Sequence, residues 1–226
     1  MNSLETKNKF AVIFDMDGVI CHTNPFHAKA FTVFFDKYKI PYTQKDFEQH
    51  MYGKHNSHIM THFFGRPIAG AELKELEHEK EALFREIYSE NVATIPYYKE
   101  FLDDLKFHGL NTAVATSAPQ ANLELILDKL QIGNKMESLL ASEDVSLHKP
   151  HPEVYLKSAE KIGVPPNRCL VFEDSFSGVT AGLNAGMKVV GVLSSHKKED
   201  LPPCSLYIEN YSEINASKVL DILMAV

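Results

Sequence analysis

Asp15 and Asp17 close the apolar run of AVIFDMDGVI (residues 11–20) and stand one residue apart. Two carboxylates at the end of a strand-like segment repel unless positive charge lies between them. Three other segments carry residues suited to the same chemistry: Thr116 and Ser117 in VATSA, Lys149 in HKPHPEVY, and Glu173 with Asp174 in VFED. The all-oxygen set Asp15, Asp17, Glu173 and Asp174 suits hard Mg²⁺. With such a cation the remaining groups fit phosphoryl transfer. Two like charges about 4 Å apart cost about 4 kcal/mol at an effective dielectric of about 20, so a carboxylate meets a phosphate only where cations offset the charge. Mg²⁺ on one side and Lys149 on the other would do so, and Thr116 with the N–H after it would hold another oxygen. Asp15, ending its strand, is the better-placed nucleophile. Asp17, beside Gly18, is placed to protonate the leaving oxygen and later to take a proton from water.

Four segments so far apart need elements that bring them to one place. KFAVIF (9–14), NTAVAT (111–116), RCLVFE (168–173) and MKVVGVL (187–193) read as short buried strands. Helical patterns separate the later ones. Leu123, Leu125, Ile126, Leu127 and Leu130 mark one, and another runs from Pro152 to Gly163. Alternating strands and helices predict an α/β fold: a parallel sheet, helices on both faces, ligands at the carboxyl ends of the strands. Residues 24–91 lack a strand-like run and read as four helices, with Thr43 and Asp46 spaced like a capping box. The expected organisation is a core domain in two parts, 1–23 and 92–226, and a helical domain at 24–91.

Composition narrows the class. The 226 residues are 44% hydrophobic and 23% charged, as in an ordinary globular protein. A formal net charge of -7 argues against nucleic acid as a partner, though a site can be locally positive within an acidic chain. Three widely spaced cysteines, Cys21, Cys169 and Cys204, suit reduced thiols. The polar start MNSLETKNKF lacks a signal-peptide core, and no apolar run approaches the ~20 residues of a membrane span. The expectation is a cytoplasmic protein without a membrane partner. A monomer is compatible with the sequence, which does not set the oligomeric state. His55, His58 and His62 have partly helical spacing, but no Cys, Asp or Glu lies in their stretch, and a surface role is expected.

FDMDGVI, VATSA, HKPHPEVY and VFEDSFSGVTAGLNAGM together resemble the four motifs of the haloacid dehalogenase-like superfamily, in the right order and across nearly the whole chain. The helical insert resembles the four-helix cap of its β-phosphoglucomutase-like subfamily. The resemblance implies a Rossmann-like core and Mg²⁺ as cofactor. It also implies an aspartyl-phosphate on Asp15, acid/base work by Asp17, phosphate binding by Thr116, Ser117 and Lys149, and metal binding by Glu173, Asp174 and the Asp17 carbonyl. Thr23 and His27 match positions beside the acid/base in that subfamily, and Lys80 matches a cap lysine. Asn56 stands where the mutases carry an arginine for their second phosphate, and His22 stands where an Asp is usual. Lys54 is the nearby cation, without an arginine's bidentate fork. These departures put a phosphatase of a small phosphorylated metabolite, a sugar phosphate foremost, ahead of a β-phosphoglucomutase; an inorganic pyrophosphatase is the further alternative. A non-enzymatic receiver-type module stands further off: it needs neither Asp17 nor the helical insert.

Overall fold

The computed structural model describes residues 9–51 and 56–225. Six parallel strands form one sheet in the order β3-β2-β1-β4-β5-β6. They are β1 (Ala11–Phe14), β2 (Asn111–Ala115), β3 (Ser138–Leu140), β4 (Cys169–Glu173), β5 (Lys188–Val192) and β6 (Leu206–Ile208). All four strands read from the sequence are present, each trimmed by one or two residues. The two that were not read, β3 and β6, are three-residue edge strands. Segments so short carry too little apolar signal to stand out, and short edges also protect a sheet from pairing with another chain.

The chain divides into two units: one made of the segments up to His22 and from Ala93 onward, the other Thr23–Val92. In the first, alternation along the strands sorts the core onto two faces. Ala11, Ile13, Ala113, Ala115 and Val171 join a cluster with Val154, Tyr155 and Ala159 of α7 (Glu153–Ile162) and Val179 and Ala181 of α8 (Phe176–Asn184). On the opposite face Phe14 and Phe172 have ring centroids 5.2 Å apart and meet Tyr98 and Phe101 of α5 (Tyr98–Phe107) and Tyr211. Two further helices, α6 (Gln120–Leu130) and α9 (Ala216–Met224), belong to this unit. The sequence turns outward on either side of β1, whose neighbours are β2 and β4. That reversal of strand order opens a crevice at the carboxyl ends of β1 and β4.

The second unit contains α1 (Asn24–Tyr38), α2 (Gln44–His50), α3 (Asn56–Phe64) and α4 (Gly70–Tyr88). Its core gathers Phe31, Phe34, Phe35, Met51, Ile59, Met60, Ile68 and Leu76. Thr43 and Asp46 form the expected box: Thr43 N–H donates to Asp46 Oδ2 at 2.8 Å, and Asp46 N–H to Thr43 Oγ1 at 3.2 Å. Among the described residues no helix is long and apolar enough to cross a membrane.

Candidate active site

Strand alternation decides which side chains meet. Asp15 follows Ile13 by two residues and Glu173 follows Val171 by two, so both continue the face that packs on α7. There Lys149 Nζ donates to Asp15 Oδ1 at 2.6 Å, to Glu173 Oε1 at 2.7 Å and to the Ala115 carbonyl at 3.2 Å. Its side chain is 5% exposed. One ammonium thus ties the ends of β1, β2 and β4. Thr116, the residue after β2, is buried, and its Oγ1 accepts from Ala118 N–H at 3.0 Å. Ser117 beside it is exposed. Asp17 is half-buried in the turn after β1, where Gly18 N–H donates to the Cys21 carbonyl at 2.7 Å.

Glu173, expected among the metal ligands, takes hydrogen bonds on both carboxylate oxygens. Oε1 accepts from Lys149 and from Tyr155 Oη at 2.9 Å; Oε2 accepts from the N–H groups of Asp174 and Ser175 and from Ser175 Oγ, at 3.0–3.1 Å. Both oxygens are committed to holding Lys149 and the first turn of α8. Glycine at 178 makes room for this, since a Cβ there would stand 1.7 Å from Glu173 Oε1. Gly→Ala inside a helix ordinarily gains about 1 kcal/mol. Gly178→Ala should reverse that sign and lower stability by about 1–3 kcal/mol through overpacking. Urea melts check it, and a gain in stability would mean Glu173 is not held as described.

Asp174, next in sequence, keeps to the β1 turn. A Cβ on Gly18, whose φ is +74°, would meet Asp174 Oδ2 at 2.0 Å, so only glycine fits. Oδ2 accepts from Ser195 Oγ, and His196 Nδ1 lies 3.0 Å from the Asp174 carbonyl. Sequence reading missed Ser194, Ser195, His196 and Tyr155. The first three did carry a signal, since they follow a strand's carboxyl end.

The charges do not balance. Burial raises the Asp15 carboxyl to about 7, with Lys149 pulling down against repulsion from Glu173 and Asp17. Burial, then Glu173 and Asp15, pushes Asp174 well above the usual range. Burial opposes the charge on Lys149, yet Asp15 and Glu173 outweigh it and hold the ammonium well above its ordinary pKa. Among the described residues no three carboxylate, imidazole or thiol side chains form a ready-made metal cage. Mg²⁺ needs none, because its usual shell is one or two carboxylates with water and substrate phosphate. Asp15 and Asp174, buried and short of positive charge, fit that pattern.

The remaining expected residues lie in the helical unit. The Thr23 carbonyl accepts from Phe26 and His27 N–H at 2.9 and 3.0 Å, starting α1. Lys80 Nζ lies 2.8 Å from both His27 Nδ1 and Glu81 Oε1, and Asn56 Nδ2 donates to Glu81 Oε1 at 2.9 Å. Burial alone would raise the Glu81 carboxyl, but Lys80 and His27 draw it down to about 2. Lys80 is therefore neutralised where it stands, and Asn56 is spent on the same carboxylate. Lys54 and His55 lie outside the described residues. His58 and His62 share a face of α3, with ring centroids 6.4 Å apart, and His50 stacks on His62 at 3.7 Å.

Comparison with known proteins bears on this geometry. The family model of haloacid dehalogenase-like hydrolases matches residues 12–192. A phosphorylated-carbohydrates phosphatase of Thermotoga maritima is 33% identical over 196 residues, covering 82% of this chain and 86% of that one. The fructose-1-phosphate phosphatase of Escherichia coli is 31% identical over 183 residues, covering 80% and 95%. A haloacid dehalogenase-family hydrolase from Entamoeba histolytica superposes with a TM-score of 0.90 at 24% identity, covering 96% of this chain and all of that one. The family match spans the sheet from β1 to β5, and with it the four segments that carry Asp15 and Asp17, Thr116 and Ser117, Lys149, and Glu173 with Asp174. This chain belongs to the haloacid dehalogenase-like hydrolases.

Proposed function

We propose that the chain is a Mg²⁺-dependent phosphatase of small phosphorylated metabolites, sugar phosphates foremost, working through an aspartyl-phosphate on Asp15. It is a phosphoric monoester hydrolase, and the activities named for the two phosphatase relatives support the sugar-phosphate class. One observation carries the mechanism: the buried Lys149 ammonium, 2.6 Å from Asp15 at the carboxyl rim of the sheet. An incoming phosphoryl group would take over that ammonium, leaving Asp15 beside the phosphorus with its negative charge uncovered.

The residues then divide the work. Asp15 attacks, and its buried strand end fixes the line of approach. Lys149 holds a phosphoryl oxygen while Glu173 and Tyr155 hold Lys149. The Thr116 hydroxyl already accepts from Ala118 N–H, so its own proton is left for another phosphoryl oxygen. Ser117 N–H, next in the chain, supplies a further donor. Asp17 protonates the leaving alkoxide and then takes a proton from the water that opens the acyl phosphate. Asp15, Asp174 and the Asp17 carbonyl would hold Mg²⁺, which offsets the charge of carboxylates and phosphate together. The helical unit favours hydrolysis over mutase chemistry. Lys80 is neutralised by Glu81 and Asn56 carries no charge, so neither offers a strong clamp for a second phosphate.

Phosphate release from sugar monophosphates tests this. EDTA should abolish it and Mg²⁺ restore it; Ca²⁺, with its looser geometry, should bind without supporting turnover. Turnover indifferent to EDTA sinks the metal-dependent reading. Efficient, primer-dependent conversion of β-glucose 1-phosphate to glucose 6-phosphate would replace the phosphatase with a mutase.

A further inference from the structure

The turn that follows β5 makes more bonds to the acidic site than its composition suggests. Ser194 Oγ donates to the Gly18 carbonyl at 2.5 Å. Ser195 Oγ donates to Asp174 Oδ2. His196 Nδ1 lies 3.0 Å from the Asp174 carbonyl, and since a carbonyl can only accept, that nitrogen carries the proton. Three consecutive residues therefore grip the β1 turn, the Asp174 side chain and the Asp174 main chain. We propose that Ser195 is a positioning residue for divalent-cation binding: its hydroxyl holds the Asp174 carboxylate by Oδ2 and leaves Oδ1 to meet the ion.

The need for such a residue follows from Asp174's surroundings. Its neighbour Glu173 is fixed by five hydrogen bonds from Lys149, Tyr155, Asp174 and Ser175. Asp174 lies just beyond the strand, and its side chain takes no hydrogen bond from Lys149 or Tyr155 but reaches the β1 turn and the turn after β5. There it meets the bare backbone of Gly18, which supplies no side-chain donor, with Ser194 Oγ at the long distance of 3.5 Å from Oδ2 and Ser195 Oγ closer. A carboxylate there can turn about two side-chain torsions, and binding an ion would have to freeze both. Ser195 removes that freedom beforehand. The hydroxyl is also the right donor, being neutral: a lysine in its place would compete with the cation for Asp174. Groups that orient a metal's ligands typically change its affinity 10–100-fold when removed.

The bland alternative is that Ser195 only satisfies a buried carboxylate and serves stability. Affinity for the ion separates the two roles. The inference rests on the Mg²⁺ reading above, so the readout is calorimetric titration of the whole protein with Mg²⁺, without substrate. Mn²⁺ followed by its free-ion paramagnetic resonance gives a second measure. Ser195→Ala should weaken Mg²⁺ binding roughly 10–100-fold. Ser195→Thr, which restores the hydroxyl, should recover most of it. Wild-type affinity in Ser195→Ala, even with a lower melting temperature, overturns the positioning role and leaves the Mg²⁺ reading standing. No saturable Mg²⁺ uptake by the wild-type protein overturns both. Should Ser195→Ala fail to fold, Ser195→Cys keeps the volume with a weak donor and is read against the same outcomes.

Discussion

Replacing Asp15 by Asn is expected to take phosphatase turnover to background while sugar phosphate still binds. The substitution keeps shape and removes both the nucleophilic oxygen and its charge. Loss of a covalent nucleophile costs on the order of 10⁴-fold or more in kcat. An inactive variant could also be a misfolded one, and pH separates the two. Burial raises the Asp15 carboxyl from 3.8 to about 7, so the metal-free folded state holds a proton that the unfolded chain has released. Stability from this group is thus lost as pH rises from about 4 through about 7. Asn has no such dependence. In EDTA, the melting temperature of Asp15→Asn relative to wild type should rise between pH 5 and pH 8. Residual turnover above background with any phosphomonoester would remove Asp15 as the nucleophile, and a falling relative melting temperature would contradict its burial as an excess charge.

Asp15, Asp17, Thr116, Lys149, Glu173 and Asp174 were legible because each stands at or near the carboxyl end of an apolar run, or in a loop next to a Pro-started helix. Those runs carry the strongest signal in the chain, and the parallel sheet follows from their alternation with helices. What composition does not say is that Glu173, the last residue of β4, is held by Lys149 and Tyr155 while Asp174, just beyond the strand, reaches the turn after β5. Tyr155 was hidden for another reason. In an amphipathic helix it reads as core, and it is core, with its hydroxyl alone reaching Glu173. Ser194–His196 follow the carboxyl end of a strand that the sequence announces, but their polar-turn composition hides which residues they meet until β5 is seen beside β4. The Lys80–Glu81 pair was equally opaque: adjacent charges on a helix read as solvated, whereas both are buried. Its partners, His27 and Asn56, come from other helices, and no local pattern announces that meeting.

Lys149→Met tests the electrostatic design more sharply than any loss of activity. The methionine fills similar volume and leaves Asp15 and Glu173 facing each other, buried, with the ammonium gone. Breaking one side of a buried pair costs about 3–5 kcal/mol, because the remaining charge is uncompensated. The metal-free variant can lessen that cost by binding a proton on Asp15. Its loss of stability should therefore be large at pH 8 and smaller at pH 5, as judged from urea melts against wild type. Equal losses at both would mean that packing, not charge, is what Lys149 supplies. Coupling to Asp15 gives the stricter check, since two residues in one buried pair do not act additively. Adding Asp15→Asn to Lys149→Met removes the stranded carboxylate and should make the double variant more stable at pH 8 than Lys149→Met alone. A second substitution in the same site that restores stability is explained by charge and by nothing in the loss of packing, so a double variant weaker than either parent would take the excess negative charge out of the account of this site.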